Sequence, residues 1–170
     1  MQRSITLSIG ALFLAFFLAL SVPQAGAEDI LGFDTMVGVT GPFTGATNAI
    51  RGVPGGGLPW QLEGANGQLD TEGNLKIDVF GLVLADDPRV PVERRLMNPQ
   101  TDFRAIVSCL TIDELDPTMV ATVNVMTGLF PTGVAGDATI EEKVMLPYPC
   151  FAPIIFVTSP TGSWFAVTGN

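Results

Sequence analysis

Between Leu75 and Val79 the chain alternates apolar and charged residues. Leu75, Ile77 and Val79 fall on one side of an extended backbone, and Lys76 and Asp78 on the other. A period of two is what a strand with one buried face requires, because successive side chains point to opposite sides. Just before it, Asp70-Thr71-Glu72-Gly73 places Asp at the first and Gly at the fourth position of a type I turn. Together they predict a hairpin whose first arm ends at Leu69.

The rest of the chain is punctuated in the same way. Residues 103–110, 119–126, 138–146, 153–158 and 163–168 are rich in β-branched and aromatic side chains, and Gly, Pro or Asp clusters separate them. Ser159-Pro160-Thr161-Gly162 has turn residues at the first, second and fourth positions, so the last two segments read as a C-terminal hairpin. Pro88, Pro91 and Pro99 exclude a central strand between the two halves and leave room for one helical turn over 92–97. No segment carries an apolar stripe at helical spacing over three turns. The expected fold is all-β, an antiparallel β-sandwich of about seven or eight strands, with a small β-barrel as the alternative. One strand breaks the pattern. Glu142 falls on the apolar face formed by Ala138, Ile140, Val144 and Leu146. Either a β-bulge at Glu141-Glu142 rotates it outward, or it is a buried acid with a perturbed pKa.

The two ends behave differently from this domain. Arg3 is followed by an almost unbroken apolar run from Ile5 to Leu20, then by Pro23 and the small residues Ala25-Gly26-Ala27. That order predicts a secretory signal peptide, helical in its apolar part and cleaved after Ala27. The alternative, a retained anchor, has a short run for a core of ~30 Å. Residues 28–57, rich in Gly and Thr, read as an irregular arm with one short strand near 35–39, and residues 58–170 as the sandwich domain. Removing 27 of the 170 residues leaves 143, and the loss of Arg3 takes the net charge from −9 to −10. A surface this acidic repels nucleic acid and anionic lipid, so neither is an expected partner. The expected location is outside the cytoplasm, secreted or in the periplasm and cell envelope. There Cys109 and Cys150, 41 residues apart, form a disulfide rather than a metal site.

Composition then limits the chemistry. The chain has no histidine, which excludes Ser-His-Asp and Cys-His catalysis and removes the commonest zinc ligand. Neither a Gly-x-Ser-x-Gly elbow nor a Ser-x-x-Lys motif is present. Gly55-Gly56-Gly57 is followed by Leu-Pro-Trp rather than Gly-Lys-Ser/Thr, so it forms no phosphate cradle; it reads as a flexible arm anchored by Trp60. No cofactor is implied. A small secreted hydrolase working through carboxylates is the rival function, with Glu142 and Asp78 or Glu63 as its acids. Asp113-Glu114-Leu115-Asp116 offers hard oxygen ligands suited to calcium, although its spacing fits neither an EF-hand nor a nonapeptide repeat and a solvated loop is the simpler explanation.

Two features suit binding. Arg89, Arg94, Arg95 and Arg104 gather much of the positive charge on an acidic chain, as an anion or partner site or as ion pairs with Asp86, Asp87, Glu93 and Asp102. Trp164 and Phe165 are adjacent on a strand and point to opposite faces, so one of them is a candidate stacking or docking residue unless another layer covers it. Arg94, Arg95, Trp164 and Phe165 are therefore the candidate binding residues.

The block Arg51-Gly52-Val53-Pro54-Gly55-Gly56-Gly57-Leu58-Pro59-Trp60 with the Gly73–Val79 hairpin and Gly81-Leu82-Val83-Leu84-Ala85, and the block Cys150-Phe151-Ala152-Pro153-Ile154-Ile155-Phe156-Val157-Thr158-Ser159-Pro160-Thr161-Gly162-Ser163-Trp164-Phe165-Ala166, together with Val107-Ser108-Cys109-Leu110, resemble small exported bacterial proteins of uncharacterised function. The resemblance implies a bacterial, exported setting and two recurring cysteines, and it brings no ligand or activity. The expected function is an exported, non-catalytic β-sandwich, a binding or structural module whose partner is a protein or glycan at the cell surface.

Overall fold

A computed structural model describes residues 26–168. The signal segment before Gly26 therefore lies outside the described residues. Twelve strands follow one another: β1 (Asp29–Phe33), β2 (Met36–Gly38), β3 (Trp60–Gln61), β4 (Gly64–Asp70), β5 (Asn74–Phe80), β6 (Val83–Leu84), β7 (Asp102–Ile112), β8 (Val120–Met126), β9 (Phe130–Pro131), β10 (Ala138–Lys143), β11 (Phe151–Thr158) and β12 (Trp164–Thr168). One sheet has the order β1-β4-β5-β10. A second runs β2-β12-β11-β7-β8, with β9 also paired to β7, and β3-β6 forms a two-stranded piece. The named pairs are antiparallel and neither large sheet closes on itself, so the fold is a sandwich and not a barrel.

The β4–β5 hairpin forms as expected. Asp70 Oδ1 accepts from the backbone N–H groups of Glu72 and Asn74, and Gly73 takes φ +84°, a conformation glycine enters without penalty. A Cβ at Gly73 would also lie 2.0 Å from the Val144 carbonyl oxygen. Leu75, Ile77 and Val79 are each at most 2% exposed, worth roughly 1.5–3 kcal/mol per side chain. They join one core with Leu69 and Ile140 of the same sheet and with Phe103, Val107, Ile155 and Val157 of the other.

Residues 28–57 are irregular only from about 39 onward. Asp29–Phe33 is an edge strand on β4, with a bulge between Asp29 and Leu31 that hides its alternation. The short strand expected near 35–39 is β2, the edge strand on β12. The Gly-rich segment is pinned rather than free. Gly45 and Gly56 exchange main-chain hydrogen bonds with their surroundings, Gly56 N–H donates to the Trp164 carbonyl, and Trp164 N–H donates to the Pro54 carbonyl. Arg51 reaches further and donates to the Ser108 carbonyl on β7. Trp60, only 4% exposed, is the anchor expected for this segment.

β10 corrects both readings of Glu142. Its pairing with β5 runs without a shift from Ala138–Val79 to Lys143–Asn74, so no bulge is present. Glu142 does sit on the inner side, but half-buried at the end of the sheet, where its carboxylate accepts the Gly128 N–H at 2.7 Å.

Candidate functional site

Trp164 and Phe165 open β12, and a register shift there sets Trp164 opposite Thr158 and Ala166 opposite Val157. The extra residue is a β-bulge. The two rings point to different faces, Phe165 toward Trp60 and Phe103 and Trp164 toward Phe156, yet both are buried, at 2% and 4% exposure. Phe165 stacks on Trp60 at 3.8 Å between centroids and meets Phe103 edge-on at 6.0 Å. Trp164 leans on Phe156 at 6.1 Å, beneath the segment that carries Pro54 and Gly55. Neither ring is a free stacking surface. Segment 45–57 and β3 supply the covers.

The arginines divide into two kinds. Arg89 binds Asp87 bidentately, with Nε and Nη2 each at 2.9 Å from a carboxylate oxygen. Arg95 is half-buried, pairs with Asp86 at 3.2 Å and donates to the Val90 carbonyl. Arg94, exposed on a 3-10 turn (Val92–Arg94), makes no ion pair among the described residues. That turn is the short helical stretch expected over 92–97. Arg94 shares a shallow concavity of about 240 Å³ with Gly57, Leu58, Trp60, Leu84 and Phe165. Of the four candidate binding residues the fold thus brings together Arg94 and Phe165, and commits Arg95 to an ion pair and Trp164 to the opposite face.

These pairings have a pH consequence. The Arg89 side chain and then its backbone N–H hold the Asp87 carboxyl well below the usual carboxylate range. Thr118 lowers the pKa of Asp116 through its hydroxyl and then its backbone N–H. At Asp70 slight burial works upward, but hydrogen bonds from Asn74 and Glu72 outweigh it and leave the pKa lowered. A depressed carboxylate stabilises the fold above its unfolded pKa of 3.8 and loses that contribution as pH falls through the folded value. All three groups are at the surface, so the effect is small and screened by salt. The thermal midpoint is therefore expected to stay level down to about pH 4 and to decline below it. In Asp87→Asn the decline is shallower, which a melting series from neutral to acid pH measures.

The other acids do not converge. Asp78 lies on the outer face of β5, bonded to the Thr139 hydroxyl at 2.7 Å, whereas Glu142 points to the inner face of the same sheet. Glu63 sits beyond the Phe80 level and Glu142 opposite Leu75, five residues away along β5. At about 3.3 Å per residue this is roughly 17 Å along the strands, against about 5–10 Å for a glycosidase pair. In the Asp113-Glu114-Leu115-Asp116 loop, Asp113 accepts the N–H groups of Leu115 and Asp116, and Asp116 accepts the N–H and the hydroxyl of Thr118. Among the described residues no group of three acidic or cysteine side chains is assembled as a metal centre.

A second concavity was not anticipated from sequence. On the outer face of the four-stranded sheet, Phe33, Asn66, Gln68, Lys76 and Asp78 line a polar hollow of about 320 Å³. Register explains it, since Asn66 lies opposite Asp78 and Gln68 opposite Lys76 on the solvent side of β4 and β5. Gly67 makes room for the aromatic wall: a Cβ there would meet Phe33 Cζ at 2.6 Å and the Lys76 carbonyl oxygen at 2.5 Å. The period-two pattern already placed Lys76 and Asp78 outside. Phe33 had no such signal: it lies past the bulge of β1, opposite Gly67, and packs partly against the core while it borders the hollow.

The molecule is thus a disulfide-stapled antiparallel β-sandwich, with Cys109 in β7 joined to Cys150 just before its neighbour β11. The chain matches no family model, no curated protein and no solved structure.

Proposed function

We propose that this chain is an exported, non-catalytic β-sandwich of a bacterial cell envelope or its surroundings, and that it binds neutral glycan through the outer face of the four-stranded sheet. The observation that carries the reading is the hollow of Phe33, Asn66, Gln68, Lys76 and Asp78. Two side-chain amides, a carboxylate and an ammonium offer paired donors and acceptors to hydroxyl groups, and a half-buried ring offers an apolar wall to the C–H face of a sugar. The Cys109–Cys150 disulfide is compatible with an oxidising compartment. The arginines and aromatics named first contribute less to this reading, being largely engaged elsewhere.

The test is calorimetric titration of the mature, oxidised chain with neutral oligosaccharides prepared from the producing cell's surface polymers. Phe33→Ala is expected to weaken uptake about tenfold, the scale of one lost aromatic contact. Binding indifferent to Phe33→Ala and to Asn66→Ala/Gln68→Ala, or none at millimolar saccharide, refutes it. Export is checked separately, by an intact mass from the envelope or medium that begins at Glu28 with both cysteines oxidised. Hydrolysis of the same saccharides would restore the carboxylate hydrolase.

A further inference from the structure

We propose that two copies of this chain associate edge to edge through β8, the two β8 strands running antiparallel about a two-fold axis at Val123. The first support is an open ladder. β8 ends the order of the six-stranded sheet and has β7 on one side only. Asp113 N–H donates to the Met119 carbonyl before the paired stretch, and Thr127 N–H donates to the Ala105 carbonyl after it. Antiparallel ladders alternate bonded and non-bonded pairs. Between these two fixed points Ala121, Val123 and Val125 therefore bond to β7. Val120, Thr122, Asn124 and Met126 turn their N–H and C=O groups outward, and among the described residues those groups have no partner.

The second support is that this edge lacks the usual protection. Sheet edges are normally blunted by charge, proline, bulges or brevity. β1 carries a bulge and Asp29, β2 has three residues, and β10 carries Glu141, Glu142 and Lys143. β8 has none of these. From Pro117 to Gly136 there is no charged residue at all, in a chain of net charge −9. Met119, Val120 and Met126 are each more than half exposed along the same stretch.

Charge and symmetry point to a second copy as the occupant. Two copies this acidic repel one another wherever their carboxylates meet, and the β8 edge brings none together. The strand is also self-complementary in register. About Val123, Thr122 faces the second copy's Asn124 and Val120 faces its Met126. Each outward residue then meets another outward residue, and all the free main-chain groups of β8 are paired. The two six-stranded sheets become one continuous sheet.

Sedimentation equilibrium of the mature, oxidised chain over roughly 10–500 µM tests this, since a seven-residue edge buries little area and gives a weak, reversible dimer. Thr122→Pro removes an outward N–H that β7 does not use, so the monomer keeps its fold and melting temperature, while the dimer is expected to weaken at least about tenfold. Val120→Glu and Met126→Lys each weaken it, and both on one chain restore it, because the axis sets position 120 against 126 twice. A chain monomeric at every concentration leaves the edge to some other extended partner and overturns the proposal. A dimer that neither Thr122→Pro nor the charge pair changes overturns it as well.

Discussion

Replacing both cysteines, Cys109→Ala with Cys150→Ala, is expected to lower the stability of the domain by about 4 kcal/mol, the chain-entropy value for a loop of this size. The loop spans 41 residues and contains β8, β9 and β10, so it includes the passage of the chain from one sheet to the other. In the unfolded state the bond holds these strands near β7 before any pairing has formed. In the folded state it joins two neighbours already held by their own ladder, with Cys109 fully buried in the core. The effect therefore acts mainly through the unfolded chain. With a urea dependence of about 2 kcal/mol/M for a domain of this size, the midpoint should fall by roughly 2 M. Urea titration of the oxidised wild type against the double variant measures it. Coincident midpoints would show that the unfolded chain is not constrained by the bond.

The parts of this fold that were legible in the sequence are those decided by neighbours along the chain. The β4–β5 hairpin is the clearest, because one face of it is wet and its turn is built from Asp70 and Gly73 alone. β7 was legible only as an apolar run. Residues from Phe103 to Thr111 are buried on both faces in its middle, where segment 45–57 covers the side away from the core, so no alternation survives. β1 was hidden by its bulge. Glu142 shows the limit most plainly. Alternation placed it on the inner face, and that was correct, but the Gly128 N–H that accommodates it arrives from a loop fourteen residues away. No local rule announces such a partner. The candidate site divides on the same line. Adjacency predicted that Trp164 and Phe165 face opposite ways, and they do despite the bulge between them, whereas the layers that bury both come from β3 and the N-terminal segment. Which arginine stays free, Arg94 rather than Arg95, depends on where Asp86 and the Val90 carbonyl fall in space.

Phe165→Ala is expected to cost about 3–5 kcal/mol, the range for removing a buried aromatic ring, and so a large part of the roughly 5–15 kcal/mol that holds a domain together. Three rings meet at this point. Phe165 lies parallel to Trp60 at an interplanar angle of 18°, Phe103 is edge-on to both, and the Trp60–Phe103 centroids are 6.4 Å apart. The fit extends to the backbone, since a Cβ on Gly56 would touch Phe165 Cδ1 at 3.0 Å. Little can collapse into the vacated space, because Trp60 is fixed by β3 and its N–H bond to Val39, and Phe103 by β7 and β9. The melting temperature should fall by roughly 10–20 °C for a chain of this length. Tryptophan emission should shift to the red, because Trp60 loses the ring that shields it. Phe165→Leu keeps most of the volume and is expected to cost under about half as much. The pair of variants separates packing from surface function. If the Arg94 concavity binds nothing, both variants lose stability in proportion to the volume removed and leave the proposed glycan binding at Phe33 unaffected once folded. A fall of only a few degrees in Phe165→Ala would mean that the three-ring cluster is not the anchor joining the N-terminal segment to the six-stranded sheet.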